Sequence, residues 1–279
     1  MLENLDIDCL RVSEFKHADL VLRRAFSVSS SRWSTLERNL RVDEKAWAAA
    51  RVGDRLLGLG SGVVMADRCH VGPIAVDPPM QRQGIGGALL NHVLRRGQAI
   101  GVDCFSLDAA PSARSLYEEF GFIQTDTVEV MSLGGAARHI VSDCRVDPRV
   151  ASEIVEYDEQ LTGLGRSRLL THYLDQDGSR AFVARQGIRV DGYCLIQGGV
   201  LGPCVAGSRD SFVGVLRRLL DCHDGSKLTV FVPGRNDDAQ TALASHGFVH
   251  TGQLIHMLRG SSPERERQQI YGQSSTAVG

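Results

Sequence analysis

The chain has 279 residues, 43% hydrophobic and 23% charged, with a formal net charge of −2. That length accommodates two ordinary domains at roughly 150 residues each, and the balanced charge gives no general attraction to nucleic acid or to an anionic membrane. Seven scattered cysteines without a C-x-x-C pair, an acidic start, MLENLDIDCL, and the lack of any apolar run near the roughly 18 residues of a membrane helix make a reducing, cytoplasmic setting the expectation.

Over residues 14–26, Leu20, Val21, Leu22, Ala25 and Phe26 recur at helical spacing, and Trp33, Leu36 and Leu40 mark one face of a second helix. The period then changes. Residues 46–52 and 55–66 read as strands joined at the turn Gly53-Asp54. Residues 70–76 form the next strand, which stops at Asp77-Pro78-Pro79. A helix follows from Gly84 toward Ile100, with Leu89, Leu90, Val93 and Leu94 on its apolar face, and then a strand over 104–107.

Between the third of these strands and the long helix lies Gln81-Arg82-Gln83-Gly84-Ile85-Gly86, followed by Gly87 and Ala88. A dinucleotide fingerprint beginning at Gly84 would need glycine where Leu89 stands, and a Walker loop would need a Gly-Lys pair, which the chain lacks. What is left has the form [QR]-x-x-G-x-[GA]. In this strand-before, helix-after setting it resembles the pyrophosphate loop of the GNAT superfamily of acyl-CoA-dependent N-acyltransferases. The physical reason is independent of the name: free N–H groups at a helix start carry partial positive charge, and glycines remove the Cβ atoms that would hold phosphate oxygens away. Arg82 adds a full charge at the rim. The bland reading of Gly84, Gly86 and Gly87 is that they allow close packing of helix on sheet.

The resemblance implies acetyl-CoA as cofactor, a small-molecule or peptide amine as acceptor, and direct transfer in a ternary complex without a cysteine nucleophile. It implies further that Tyr117, in Ala113-x-x-x-Tyr117-x-x-x-Gly121-Phe122, places its hydroxyl beside the thioester sulfur and protonates the leaving thiolate. A packing aromatic is the alternative role. Where many members carry asparagine this chain has Ala110, and Ser112 is the nearby substitute. Ile74, Ala75 and Val76 would lend free main-chain groups to the pantetheine amides, with the Val76 N–H as oxyanion donor. His70 and Asp108 are the candidate bases for the acceptor ammonium; a structural histidine and a helix cap are their bland alternatives.

The second half repeats the landmarks of the first. Gly72-Pro73 recurs as Gly202-Pro203 and Gly121-Phe122 as Gly247-Phe248, in the same order and at nearly the same offset, each followed by a strand containing Met131 or Met257. That order argues for duplication, with chance recurrence of short Gly-containing pairs as the bland alternative. A helix opens at Asp147-Pro148, strands cover 181–185 and 190–196, and residues 208–222 are amphipathic. Where the first half has its glycine loop, the second has Ala206-Gly207-Ser208-Arg209-Asp210, and Leu243 replaces the tyrosine. The second half is therefore expected not to hold coenzyme. Asp158 and Arg166 stand either in a substrate pocket facing the first half or in a structural ion pair.

The expected fold is α/β (α+β): two GNAT-like domains, each a mixed, mostly antiparallel sheet flanked by helices. Residues 1–135 form the catalytic domain, 138–260 a degenerate substrate-shaping domain, and 261–279 a polar, mobile tail. The histidines show no metal-ligand spacing, and basic residues are too isolated for nucleic-acid binding. A non-catalytic acyl-CoA sensor and transfer of a longer acyl group are the competing functions.

Overall fold

The computed structural model describes residues 4–135, 148–176, 179–261 and 267–275. The first half runs β1 (Asp6–Cys9), α1 (Phe15–Ala25), α2 (Trp33–Val42), β2 (Trp47–Val52), β3 (Arg55–Met65), β4 (Arg68–Val76), α3 (Ile85–Ala99), β5 (Cys104–Ala109), α4 (Arg114–Glu119) and β6 (Ile123–Leu133). In the second, α5 (Pro148–Thr162) and α6 (Ser167–Leu174) precede β7 (Arg180–Gln186), β8 (Arg189–Gln197), β9 (Val200–Ala206), α7 (Arg209–Asp221), β10 (Leu228–Pro233), α8 (Asp237–Ser245), β11 (Val249–Arg259) and β12 (Ile270–Gly272). The succession β4-α3-β5-α4-β6 thus returns as β9-α7-β10-α8-β11, with the two Gly-Pro pairs in the equivalent strands β4 and β9.

The strands form one sheet in the order β1-β2-β3-β4-β5-β11-β6-β10-β9-β8-β7, with β12 set against β9. Two neighbours are parallel, β4 with β5 and β9 with β10; the other pairs are antiparallel. At the centre the halves trade strands. β11 lies between β5 and β6, and β6 between β11 and β10, so each half's last strand closes the gap in the other. The two sheets expected from the repeat are therefore continuous.

Glycines set how closely α3 lies on the sheet. A Cβ at Gly58 would come within 3.1 Å of Leu89 Cδ1, one at Gly60 within 3.2 Å of Leu89 Cβ, and one at Gly62 would overlap Val93. That stripe on β3 lets Leu89, Leu90 and Val93 sink into a core with Phe105, Leu107 and Tyr117. Each such side chain, fully buried, is worth about 1.5–3 kcal/mol. A second core is common to both halves: Leu36, Trp47 and Leu59 share it with Ile154, Leu170 and Tyr193. Helices α1 and α2 therefore pack with α5 and α6 as one layer.

Two readings change here. β1 was not foreseen in the sequence; it pairs its four residues with β2 from Asp6/Arg51 to Cys9/Ala48. The tail, expected to be mobile, includes β12, where Ile270 and Tyr271 are buried and Tyr271 stacks on Phe212 with ring centroids 4.3 Å apart. Burial of two large apolar side chains offsets the entropy of ordering this short segment.

Candidate active site

The parallel strands β4 and β5 pair only from Arg68/Cys104 to His70/Ser106. Beyond that point they part, while β5 stays paired with β11 as far as Ala109/Ile255. The result is a slot with a strand on each side. Asp77 N–H donates to Leu57 C=O (2.8 Å), and alternation along the β3/β4 ladder ties Ala75 to Leu59 and turns the N–H and C=O groups of Ile74 and Val76 toward the slot. The sequence had counted Ala75 among the cofactor contacts; its main chain faces β3 instead.

At the slot's outer end, α3 begins at Gly84, whose φ of 81° is left-handed. A Cβ there would meet nothing within 4 Å, so the space in front of the residue is open. Among the described residues, the main-chain N–H groups from Arg82 to Gly87 have no partner within the protein. Ala88 does: its N–H donates to Gly84 C=O (3.0 Å) in the first helical turn, which removes it from the donors the sequence had assigned to the loop. The glutamine side chains brace the loop, Gln81 Nε2 donating to Val76 C=O (3.1 Å) and Gln83 Nε2 to Pro79 C=O (3.5 Å). Arg82 is exposed, with a left-handed φ of 62°.

Helix α4 packs over this turn: a Cβ on Gly87 would lie 3.5 Å from Phe120, and one on Gly86 3.9 Å from Leu116. From the same helix Tyr117 enters the core edge-on to Phe122, at 6.0 Å between centroids, and is 8% exposed. Burial pushes its phenol up to about 12, so it keeps its proton throughout the neutral range. Ser112 is exposed on the turn between β5 and α4.

His70 and Asp108 flank the inner end of the slot, and neither stands open. His70 is buried with Nδ1 3.1 Å from Ser106 Oγ. The Asp108 side chain is 0% exposed and accepts from His256 Nδ1–H at 2.7 Å. Arg267 Nη1 donates to Nε2 of the same ring (2.9 Å), which leaves Nδ1 as the nitrogen that carries its proton toward Asp108. Arg267 Nε also pairs with Asp126 Oδ2 (3.1 Å). Asp108, His256 and Asp126 stand opposite one another in a single row across β5, β11 and β6. Burial raises the Asp108 pKa, yet the His256 hydrogen bond, with His256, His70 and Arg267 nearby, holds it below the ordinary carboxylate range. The candidate base is thus engaged from the second half, and the helix-capping alternative fails as well. His256, Arg267 and Asp126 escaped the sequence because nothing local marks them; strand exchange alone brings them together.

Asp158 and Arg166 form a sealed pair. Arg166 donates through Nη2 (2.8 Å) and Nε (3.0 Å) to Asp158, and Tyr193 Oη donates to the same carboxylate at 2.5 Å. Their side chains are 1% and 2% exposed. Of the two readings the sequence left open, the structure has the ion pair, with both side chains shielded from solvent. A shallow cavity of about 540 Å³ between α4 and the second half is lined by Arg114, Asp126 and Arg235 among others, but includes neither Tyr117 nor the glycine loop.

The second half has the same opening in another state. β9 and β10 pair only at Val200/Thr229, and β12 fills the gap beyond. At the start of α7, Ser208 Oγ accepts from Ser211 N–H (3.2 Å), a side-chain cap that the start of α3 lacks.

Two models, each described as an acetyltransferase (GNAT) domain, match residues 14–134 and 154–272. The chain belongs to the GNAT acetyltransferase superfamily. This GNAT protein is 24% identical over 259 residues to holothin acyltransferase of Pseudoalteromonas sp. (strain SANK 73390), covering 87% of the chain and 84% of the relative. The crystal structure of a Pyrococcus horikoshii protein superposes with a TM-score of 0.87 at 22% identity, over 100% of this chain and 97% of that one. A tandem GNAT protein from the clavulanic acid biosynthesis pathway gives 0.64 at 15% identity, over 93% and 99%. The tandem GNAT architecture and membership of an acyl-CoA-using, amine-acylating enzyme family follow. Among the described residues no helix is long and apolar enough to cross a membrane.

Proposed function

We propose that this GNAT protein is an acetyl-CoA-dependent N-acetyltransferase acting in a cytoplasmic setting on a primary amine of a small molecule or peptide. The observation that carries the reading is the row of unpartnered N–H groups from Arg82 to Gly87 in front of an open Gly84. Six neighbouring donors without acceptors, at a helix start that carries partial positive charge, fit a diphosphate. When bound, acetyl-CoA supplies a thioester carbon open to attack by an amine.

The residues of the chain do the rest. Ile74 and Val76 offer slot-facing amides, one set for the pantetheine and one for the oxygen that gains charge during attack. Tyr117 stays protonated through the neutral range and offers that proton to the departing sulfur. The side chains of His70 and Asp108 are buried in hydrogen bonds, so the acceptor ammonium gives its proton to water in the slot while those residues fix the polarity beneath it. The second half takes no coenzyme and shapes the acceptor side.

The test is an acceptor screen that follows free thiol release with amino acids, polyamines, aminoglycosides and peptides. Titration calorimetry with acetyl-, succinyl- and longer acyl-CoAs runs beside it. Release with an amine and tightest use of acetyl-CoA support the reading; binding without turnover on any amine replaces it with a sensor. Preference for a long acyl chain replaces only the acetyl assignment.

A further inference from the structure

The gap between β9 and β10 is the second half's counterpart of the cofactor slot, and it is occupied by the chain itself. β12 lies along β9, with Ile270 opposite Val205 and Gly272 opposite Cys204. On the other side, Gln273 N–H donates to Phe231 C=O of β10 at 2.8 Å. The segment thus bonds to both walls, as an inserted strand does. Its main chain is also recognised from outside the sheet: Asn236 Nδ2 donates to the carbonyls of Gln268 (2.7 Å) and Ile270 (2.9 Å). Tyr271 covers Phe212 of α7, and Ser274 receives Arg166 Nη1 at 3.3 Å.

The fit depends on two glycines, Gly272 of the segment and Gly202 of β9. A Cβ on Gly272 would lie 3.0 Å from Val230 Cγ2 and 3.2 Å from Leu201 C=O, and a Cβ on Gly202 would overlap the Gln273 carbonyl. Ile270, Tyr271, Gln273 and Ser274 are all below one-tenth exposed. At its start the same segment sends Arg267 to Asp126 and to His256, which holds Asp108 at the inner end of the first half's slot.

We propose that the opening between β9 and β10 is a peptide-binding site that takes an extended segment as an added strand. Its resident ligand is residues 270–273 of the same chain, and docking there keeps Arg267 on the first half's Asp126 and His256. The coupling rests on the acyl-transfer reading; the peptide site does not. In this arrangement the second half reads main chain where the first reads coenzyme, and its occupancy sets the charge beneath the first slot.

The experiment uses the full chain carrying Gly272→Val, whose branched side chain crowds Val230 and the Leu201 carbonyl and is expected to unseat its own tail, and a fluorescent synthetic peptide with the sequence of residues 267–275. The peptide is expected to bind the variant at least tenfold tighter than wild type, and to lose that binding when Asn236→Ala is added. Equal binding to both proteins, or binding to neither, overturns the site. Should the variant fail to fold, hydrogen exchange on wild type decides: amides of residues 270–273 are expected to exchange at least a hundredfold slower than in the free peptide, and equal rates overturn the site. For the coupling, Gly272→Val is expected to slow thiol release at least fivefold, with recovery on adding the peptide; an unchanged rate overturns it. If wild type turns over no amine, the acyl-transfer reading fails while the peptide arm still decides the site.

Discussion

Asp108 and His256 belong to opposite halves of the chain, yet they face each other on adjacent strands, and the His256 Nδ1–H reaches the Asp108 carboxylate at 2.7 Å. A fully buried carboxylate held this way stabilises the protein only while it is ionised. The folded pKa is depressed, so the contribution is complete above the unfolded value of about 4 and is lost as pH falls through the lower, folded value. His256→Ala, which leaves the charge unpaired, is expected to cost about 3–5 kcal/mol. His256→Asn, with an amide N–H near the Nδ1 position, is expected to cost less. Urea midpoints at pH 7 and pH 3.5 check both, and the difference between wild type and Asp108→Asn is expected to shrink at the lower pH.

Tyr117→Phe removes one oxygen and leaves the packing on Phe122 in place. The expected result is a fall of roughly a hundred- to ten-thousandfold in thiol release with acyl-CoA affinity unchanged. Because the phenol holds its proton to about 12, wild type is expected to show no alkaline loss from this group below pH 10. A pH–rate profile together with calorimetry measures both.

Arg82 has a left-handed φ without being glycine. Arg82→Gly relieves that conformation and is expected to stabilise the protein by about 0.5–1 kcal/mol while weakening coenzyme binding. The loss is expected to be largest at low salt, because the guanidinium is exposed. Opposite movement of the melting temperature without ligand and of the coenzyme Kd is the signature to look for; parallel movement counts against Arg82 as a phosphate contact.

Arg166→Met strands the buried Asp158 carboxylate with Tyr193 and, at 3.4 Å, Thr162 as its remaining donors. The expected cost is about 3–5 kcal/mol, seen in the denaturation midpoint. The acceptor KM of the folded fraction is expected not to change, since neither side chain reaches solvent. A rise in KM would return the pair to the acceptor site.

What the sequence disclosed depends on how local the determining physics is. The glycine loop, Tyr117 and the Gly-Pro repeat are short patterns whose geometry is set within one strand-turn-helix unit, and each could be read in place. The exchange of β6 and β11 could not. Alternation along a strand says which side chains share a face, but is silent on which neighbour the strand pairs with. Asp108 and His256, 148 positions apart, were therefore read as separate residues. β12 was hidden for another reason: its surroundings are polar, and Ile270, Tyr271 and Gly272 become a strand only because a gap of matching shape exists elsewhere.

The position of β11 between β5 and β6 also bears on how the protein is made. When residue 133 has left the ribosome, β5 and β6 each still lack the neighbour that residues 249–259 will provide. At about 5–20 residues per second, that wait lasts on the order of ten seconds. Throughout it the nascent chain carries raw sheet borders able to recruit a similar stretch from another polysome. Yield in a heterologous host is thus expected to depend on translation speed and on trigger-factor-like holding activity more than on the stability of the finished molecule.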